Sequence, residues 1–323
     1  MFVHSQAPCR IGIAGGGTDL PAWAGTRKGL CLSLAIDCHA HAVAITRPDR
    51  QVVASYRTRD TAPAATEIAN GLIRESALMH GWLDGFEVHT LSEVTSFGSG
   101  LGVSSSFAVC LAAVFARMNR LRAGDCDTAE TDRAALARGA WEVEIDRLRR
   151  PIGRQDHMAA CHGGLRLYSF TGDSAAIEQS FSEADAEWLA AHLLLAALPA
   201  GHDSRAILSA ANDPAQLRAA YDAVGPAVAA IEAHDPRQLG AALSAGMESK
   251  RAIPGACPEW LEALIRRVED TAAYGCKIAG AGGGGHLIIA CEPGAGPAIA
   301  RDLGLPAQPV RPDWLGVRSE GWT

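Results

Sequence analysis

One glycine-rich stretch holds more information than any other part of this sequence: Gly98-Ser99-Gly100-Leu101-Gly102-Val103-Ser104-Ser105-Ser106. It follows an alternating apolar run, Phe86–Leu91, that predicts a strand, and it precedes an apolar run, Phe107–Met118, that predicts a buried helix. Glycines in this number are unsuited to the interior of a strand or a helix. The pattern therefore predicts a glycine loop that opens onto the N-terminus of a helix.

A loop of this kind can bind phosphate. Its glycines let several backbone N–H groups turn toward one point, and the first turn of the helix adds a partial positive charge. The serines at 104–106 can cap the helix or offer hydroxyls to magnesium. No lysine follows the glycines as a P-loop requires, and the dinucleotide-binding fingerprint is only loosely approached. A capping turn without a ligand is the alternative interpretation.

The composition narrows the class of protein. The chain has 323 residues, of which 48% are hydrophobic and 20% charged, as in soluble globular proteins. A net charge of −7 argues against a surface for nucleic acid or anionic membrane. The nine cysteines are scattered and lack zinc-site spacing, which favours a reducing compartment. No signal peptide and no membrane-spanning apolar run are recognisable, so we expect a cytoplasmic protein.

The remaining patterns alternate between strands and helices. Strands are predicted at Ala7–Ala14, Cys31–Asp37, His41–Arg47, Gln51–Tyr56, Leu165–Phe170, Ala176–Phe181 and His192–Leu198, with edge strands at Val310 and Leu315–Arg318. Helices are predicted at Ala69–Gly81, Thr128–Leu148, Gln155–His162, Ser204–Asn212, Pro214–His234, Arg237–Lys250, Pro258–Tyr274 and Gly294–Leu303. We place a boundary between two lobes near residue 190.

Two further glycine loops flank the first one along the chain. Gly15-Gly16-Gly17-Thr18-Asp19 follows the predicted strand that contains Arg10, and Gly280–Gly285 separates predicted strands at Gly275–Ala279 and His286–Cys291. Consecutive glycines weaken regular structure, so each loop indicates a close approach of a ligand or another loop. The acidic residues Glu142, Glu144 and Asp146 near the end of a predicted helix oppose its dipole, which is a weak indication of function.

Taken in order, the three loops resemble the three motifs of the GHMP kinases over almost the whole chain. The details are most similar to the D-glycero-D-manno-heptose 7-phosphate kinases, with fucokinases next. The similar segments are Ala7–Arg10 with Gly15–Asp19, Gly98–Ser106, Trp141–Glu144 with Gly153–Asp156, Ser249–Arg251, and Lys277–Gly285. The chain departs from the heptose-kinase pattern at Arg154, where that pattern has lysine, and in a more basic segment at 149–152.

The resemblance implies an α+β fold with two lobes and the active site in the cleft between them. Residues 1–189 would form an N-terminal, ATP-binding lobe like ribosomal protein S5, with a mixed sheet. Residues 190–323 would form a ferredoxin-like C-terminal lobe. The implied activity is the phosphorylation of a sugar or sugar-phosphate hydroxyl, in the first instance the anomeric 1-hydroxyl of heptose 7-phosphate. The alternatives are a fucokinase-like or other sugar 1-kinase, a kinase for a mevalonate-type alcohol, and a non-catalytic sensor of sugar or nucleotide.

The resemblance also implies a role for individual residues. Asp156 and Arg10 would be catalytic, ATP would lie along Gly98–Ser106, and Ser104 with Glu144 would bind Mg²⁺, with Glu142 as the alternative carboxylate. The residues expected to contact the substrate are Gly16, Gly17, Thr18, Asp19, Arg154, Gln155, Lys250, Arg251 and Gly283. The cationic residues Arg149, Arg150, Arg154, Lys250 and Arg251 are the candidates for a substrate phosphate. Neither nucleic acid nor membrane is an expected partner, and a homodimer is left open.

Overall fold

The computed structural model describes residues 1–94, 98–125, 132–199, 204–211 and 213–322. The strands are Phe2–Ala14 (β1), Gly29–Thr46 (β2), Val52–Ser55 (β3), Arg59–Ala62 (β4), Phe86–Ser92 (β5), Leu165–Thr171 (β6), Ser174–Ser180 (β7), Leu193–Ala197 (β8), Gly275–Ile278 (β9), His286–Ala290 (β10), Ala307–Pro309 (β11) and Arg318–Trp322 (β12). The helices are Pro21–Ala24 (α1), Gly71–Met79 (α2), Val103–Arg122 (α3), Arg133–Trp141 (α4), Gln155–His162 (α5), Glu183–Ala191 (α6), Ser204–Ala210 (α7), Pro214–Asp222 (α8), Val224–Glu232 (α9), Pro236–Ala252 (α10), Glu259–Glu269 (α11) and Gly296–Leu303 (α12). A 3₁₀ turn spans Ala65–Glu67 and a π-helical turn spans Glu142–Arg147.

A large mixed sheet contains eight of these strands. Its main order is β12-β1-β2-β5-β3-β4, and all neighbours are antiparallel except the parallel pair β3 and β5. The long strand β2 pairs with β1 along one edge and serves two partners on the other, β6 near its start and β5 near its end. Helix α3, which is apolar or small over most of its length, packs on β1 and β2 and closes the core.

A second sheet, antiparallel throughout, has the order β11-β8-β10-β9. It begins at Leu193, near the predicted boundary at residue 190, but β12 returns to pair with β1 in the first sheet. One buried cluster joins residues of both sheets, including Ile11 of β1 and Ile288 of β10. The division into lobes at 1–189 and 190–323 stays a prediction. Among the residues described, none of the helices combines the length and apolar character needed to cross a bilayer.

Several predicted elements have different limits in the structure. The two strands expected at Cys31–Asp37 and His41–Arg47 form the single strand β2. Its pairing with β1 shifts register between Pro8 and Cys9, and this irregularity accommodates the extra residues of β2 without ending the strand. The helix expected at Pro214–His234 divides into α8 and α9. Helix α6 was not predicted, although Ser182 and Asp185 form a capping box at its start.

The helix after the first glycine loop begins earlier than predicted. Helix α3 starts at Val103 rather than Phe107, so the three serines lie in its first turn. Gly102 is the N-cap, with a left-handed backbone (φ 77°), and none of the serine side chains caps the helix. Their hydroxyls are therefore available for bonds elsewhere.

The first and third glycine loops pack directly against each other. Gly100 has φ 77°, and a Cβ atom there would lie 2.5 Å from the carbonyl oxygen of Ala279. A Cβ atom on Gly285 would lie 2.5 Å from the carbonyl oxygen of Gly98. Since such separations are too short for any side chain, glycine is required for the two backbones to meet.

We predict that Gly100→Ala destabilises the protein much more than Gly81→Ala does. Both glycines have a left-handed backbone, φ 77° and 74°, but Gly81 has no atom within 4 Å of an added Cβ. Gly81→Ala should cost ~1 kcal/mol through the backbone alone. Gly100→Ala should cost at least ~2 kcal/mol more, because one loop must move away from the other. Urea unfolding of both variants measures the difference, and equal losses would show that the contact is unimportant.

Candidate active site

A cavity of about 960 Å³ opens where the three glycine loops meet. Its lining carries several charged and hydroxyl side chains from separate parts of the chain. They are Arg10, Asp19, Ser104, Glu144, Arg150, Asp156, Lys250 and Lys277. Of the stretch 98–106, all residues line the cavity except Leu101, which is buried in the core, and Ser106, whose hydroxyl donates to the carbonyl of Pro8.

Arg10 of β1 connects the first glycine loop to helix α5. Nε of Arg10 donates to Oδ1 of Asp156 at 2.7 Å, and Nη1 of Arg10 donates to the carbonyl of Gly100 at 2.6 Å. The backbone N–H of Arg10 also donates to the carbonyl of Leu101 at 2.9 Å. Both side chains line the cavity, so a carboxylate and a guanidinium face a ligand together at the point where the loops converge.

A second polar cluster surrounds Glu144, whose side chain is fully buried. The hydroxyls of Ser104 and Ser105 each donate to one of its oxygens at 2.8 Å. Nε2 of His157 lies 2.9 Å from Oε2, and the guanidinium of Arg150 contacts Oε1. Arg150 also donates to Oγ of Ser104 at 2.9 Å. The cluster therefore satisfies a buried carboxylate with two hydroxyls, an imidazole and a guanidinium.

The backbone explains why Glu144 rather than Glu142 faces inward. The sequence predicts an α-helix over Thr128–Leu148, of which 128–131 lie outside the described residues, but α4 ends at Trp141 and continues as the π-helical turn. The wider turn buries Glu144, whereas the side chain of Glu142 is 41% exposed and lies 3.5 Å from Arg147. The sequence did not decide which of the two carboxylates is the candidate magnesium ligand. In the structure Glu144 lies beside Ser104, and Glu142 does not.

The charges around Glu144 keep it ionised. Burial alone raises the pKa of a carboxyl group, but here it is outweighed by the hydrogen bond and charge of His157, by the charge of Arg150 and by the hydroxyl of Ser104. Together they lower the pKa of Glu144 from 4.5 to about 2. A buried carboxylate that stays negative is a suitable group for binding a cation.

A third group of residues lines the cavity on the other side of Arg10. Asp19 accepts hydrogen bonds from the backbone N–H of Gln155 at 3.0 Å and from its side-chain amide at 2.9 Å. Burial, opposed by the first of these bonds, raises the pKa of Asp19, and the nearby charge of Asp156 acts in the same direction. Gly16 and Gly17 lie beside it in the lining. This arrangement presents a carboxylate and a bare backbone, which suits a ligand rich in hydroxyls.

Four residues expected to contact substrate lie outside the described lining of the cavity: Thr18, Arg154, Arg251 and Gly283. Thr18 bonds through its hydroxyl to both the N–H and the carbonyl of Leu30. Arg154 donates to the carbonyl of Gly172 and to Asp173, both at 2.8 Å. Arg251 forms a bidentate pair with Glu262, and the N–H of Gly283 donates to the carbonyl of Ala256. Each of these groups is used within the fold, and their substrate contacts stay predictions.

Two features of the cavity were not predicted from the sequence. Lys277, on β9, lies buried in the lining, although a single lysine before a glycine loop gives no signal of burial. The lining also includes the apolar residues Leu72 and Leu91, and the rings of Tyr56 and Phe107, which meet edge to face at 5.6 Å. These apolar residues belong to separate elements, and only the fold brings them together.

Comparison with known proteins defines the family. Residues 65–164 match the GHMP kinases N terminal domain, and residues 227–305 match the GHMP kinases C terminal region. The two matches together cover more than half of the chain, and the chain belongs to the GHMP kinases. It is accordingly an ATP-dependent phosphotransferase with an alcohol group as acceptor, and the predicted α+β fold of this family is confirmed.

Individual relatives are similar over nearly the whole length. The chain is 26% identical to D-glycero-alpha-D-manno-heptose 7-phosphate kinase of Campylobacter jejuni, over 90% of each chain. A crystal structure of a D-glycero-D-manno-heptose 1-phosphate kinase from Bacteroides thetaiotaomicron superposes with a TM-score of 0.79 at 19% identity, covering 99% of both chains. Lactococcus lactis galactokinase complexed with galactose gives 0.75 at 15% identity, covering 99% and 95%. Together with the family, the similarity to the heptose 7-phosphate kinase supports a sugar kinase, and the two crystal structures show the same fold.

We predict that Glu144 makes the protein sensitive to acid. Because the folded-state pKa of Glu144 lies near 2 and the ordinary value is 4.5, its contribution to stability is present above about pH 4.5 and is lost as the pH falls toward 2. Between about pH 5 and 2 the unfolding free energy of the wild type should fall by up to ~3 kcal/mol more than that of Glu144→Gln. Urea unfolding at a series of pH values tests this, and Glu142→Gln, which alters an exposed carboxylate, should follow the wild-type curve.

Proposed function

We propose that the enzyme transfers the terminal phosphoryl group of ATP to the anomeric hydroxyl of D-glycero-D-manno-heptose 7-phosphate, which gives the 1,7-bisphosphate. The observation that carries this proposal is the Arg10–Asp156 pair, which faces the cavity at the convergence of the glycine loops. The identity to a heptose 7-phosphate kinase over nine-tenths of each chain supports the choice of acceptor. Phosphoryl transfer depends on positioning and on charge neutralisation, and the site has groups for both.

The nucleotide fits the first glycine loop and the apolar residues of the cavity lining. The N-terminus of α3, which opens directly from Gly102, presents unpaired backbone N–H groups and the positive end of the helix dipole to the phosphates. The apolar wall that includes Tyr56, Leu72 and Phe107 suits the flat base of ATP. This placement directs the terminal phosphate toward Arg10 and Asp156.

The residues around Glu144 also fit a magnesium ion. Oγ of Ser104 and Oε1 of Glu144 lie 2.8 Å apart, both residues line the cavity, and hard oxygen atoms are the ligands that this ion prefers. Magnesium, when bound, neutralises charge on the nucleotide phosphates. The guanidinium of Arg150 contacts the same two atoms, so it balances the charge of Glu144 and must give way to a metal ion.

The catalytic roles follow from charge and reach. Asp156 accepts a hydrogen bond from the attacking hydroxyl and takes its proton as the bond to phosphorus forms. Arg10, held against Asp156 and the carbonyl of Gly100, places a fixed positive charge beside the phosphoryl group in transfer. Asp19 and Gln155, with the bare backbone at Gly16 and Gly17, orient the sugar through its hydroxyls.

We predict that Asp156→Asn lowers kcat by about a hundredfold to ten-thousandfold, because the amide cannot accept the proton. The affinity for ATP should change little, since the phosphates lie on the backbone of the first glycine loop. Steady-state kinetics and ATP titration measure the two effects. Asp173→Asn is the matched control, because that carboxylate is fully exposed and pairs with Arg154 outside the cavity. Wild-type turnover in Asp156→Asn would remove this residue from the mechanism.

The acceptor is tested by measuring ATP consumption with heptose 7-phosphate, fucose, galactose and mannose, with and without magnesium. We expect turnover with heptose 7-phosphate to exceed that with each unphosphorylated sugar by at least tenfold in kcat/KM, and phosphorus NMR of the product should show a second phosphate on the anomeric carbon. A preference for fucose or galactose would favour a different sugar 1-kinase. Absence of turnover with every sugar, despite ATP binding, would favour a sensor.

A further inference from the structure

Two of the three lysines in this chain lie in the active-site cavity. Lysines occur at positions 28, 250 and 277. Lys250 and Lys277 line the cavity and are each only 6% exposed. Within the described part of the chain neither ammonium group has a hydrogen-bond or ion-pair partner, whereas the exposed Lys28 pairs with Glu178 at 2.6 Å. A cation removed from water without a counter-ion is unfavourable, so this pair indicates a ligand.

The packing of a helix on a strand brings the two lysines close to each other. Lys250 is near the end of α10, and Lys277 lies within β9, on which α10 packs. A Cβ atom on Gly246 of the same helix would lie 3.3 Å from Cδ of Lys277, so the aliphatic part of Lys277 passes close over this glycine. The small residue lets the side chain run along the helix toward the cavity.

The surrounding charges leave the pair uncompensated. Besides Lys250 itself, which acts on Lys277, the groups that act on the lysines are Arg10 and the buried thiol of Cys31, and for Lys250 also Asp19. Arg10 is already paired with Asp156, so Asp19 is the carboxylate left to act on Lys250, and one carboxylate cannot balance two ammonium groups. Burial, assisted by the nearby positive charges, lowers the pKa of Lys250 to about 8 and of Lys277 to about 7. The site is thus short of negative charge on the Asp19 side of Arg10.

We propose that Lys250 and Lys277 form a binding subsite for a terminal phosphate dianion. The inference rests on the proposed function in one respect, namely that this phosphate belongs either to the acceptor sugar or to the end of the nucleotide. Two ammonium groups offer six N–H donors without a fixed plane, which suits a tetrahedral dianion. Of the other cationic candidates, Arg149, Arg154 and Arg251 lie outside the cavity lining, and Arg150 is held by Glu144. These lysines therefore take the role that the sequence distributed over five residues.

Calorimetry on the whole protein with Lys250→Met, Lys277→Met and the control Lys28→Met tests the subsite. Methionine keeps the buried apolar length, so the variants should fold, and thermal unfolding should show ligand-free stability no lower than that of the wild type. The probes are heptose 7-phosphate against unphosphorylated heptose, and AMP-PNP against ADP with magnesium present. If the acceptor supplies the phosphate, both cavity variants should lose at least about tenfold in affinity for heptose 7-phosphate and little for heptose. If the nucleotide supplies it, the loss should fall on AMP-PNP and spare ADP.

A second readout separates binding from structure. Burial lowers the pKa of both lysines toward neutral pH, and a bound dianion favours their charged forms. Binding to the wild type and to Lys28→Met should therefore take up protons, measured by titration in two buffers of different ionisation enthalpy, and each cavity variant should take up fewer.

Unchanged affinities for all four probes in the cavity variants, with proton uptake equal to that of the wild type, would overturn the subsite. These measurements need no turnover, so they are independent of the kinase assay. A protein that turns over heptose 7-phosphate but shows no lysine dependence would retain the proposed function and lose the subsite. A protein that fails the sugar screen but binds AMP-PNP through the lysines would retain the subsite and lose the proposed function.

Discussion

The structure depends on the close contact between the backbone of the loop at Gly98–Gly102 and the backbone that follows β9. Gly100 lies against Ala279 and Gly280, and Gly285 lies against Gly98 and Ser99, at separations that exclude any side chain. The Nδ1 atom of His286 lies 2.8 Å from the carbonyl of Ser99 and fixes the second sheet to the same loop. This contact holds the first glycine loop against the end of β9, and hence near Lys277, while the same loop also bonds to Arg10.

Arg10 connects that loop contact to Asp156, the proposed catalytic carboxylate. Its backbone N–H and its guanidinium both bond to the loop, and the same guanidinium bonds to Asp156 on α5. A shift of the loop would therefore move the proposed catalytic pair as well as the proposed phosphate site. Catalysis by positioning requires such rigid coupling, because small displacements of a reacting group reduce the rate strongly.

Much of the fold and part of the site could be predicted from local pattern. The glycine loops, the strands beside them and helix α5 follow from short-range sequence. The pairing of Arg10 with Asp156 was predicted through the resemblance to a family. The inward position of Glu144 could not be predicted, because the π-helical turn departs from the 3.6-residue period on which a helix is recognised. The burial of Lys277 depends on α10 packing over β9, a contact between distant segments that no local pattern contains.

Arg154 shows how a departure from a family pattern can act on the fold instead of the ligand. The heptose-kinase pattern has lysine at this position, and an arginine there first indicates a change in substrate recognition. In the structure its planar guanidinium reaches two acceptors at once, the carbonyl of Gly172 and the carboxylate of Asp173, in the turn between β6 and β7. A lysine has a single point charge and would hold that turn less firmly, so this substitution is explained by support of the turn.

The two buried charge clusters of the cavity differ in a way that separates their roles. Glu144 has four partners, and its charge is balanced by Arg150 and His157 within the protein itself. Lys250 and Lys277 have no such partners among the described residues, and they repel one another. A balanced cluster can exchange one cation for another at little cost, since the carboxylate stays paired throughout. An unbalanced cluster gains its missing counter-charge only from a ligand. We therefore expect a bound anion to contribute most to affinity at the two lysines.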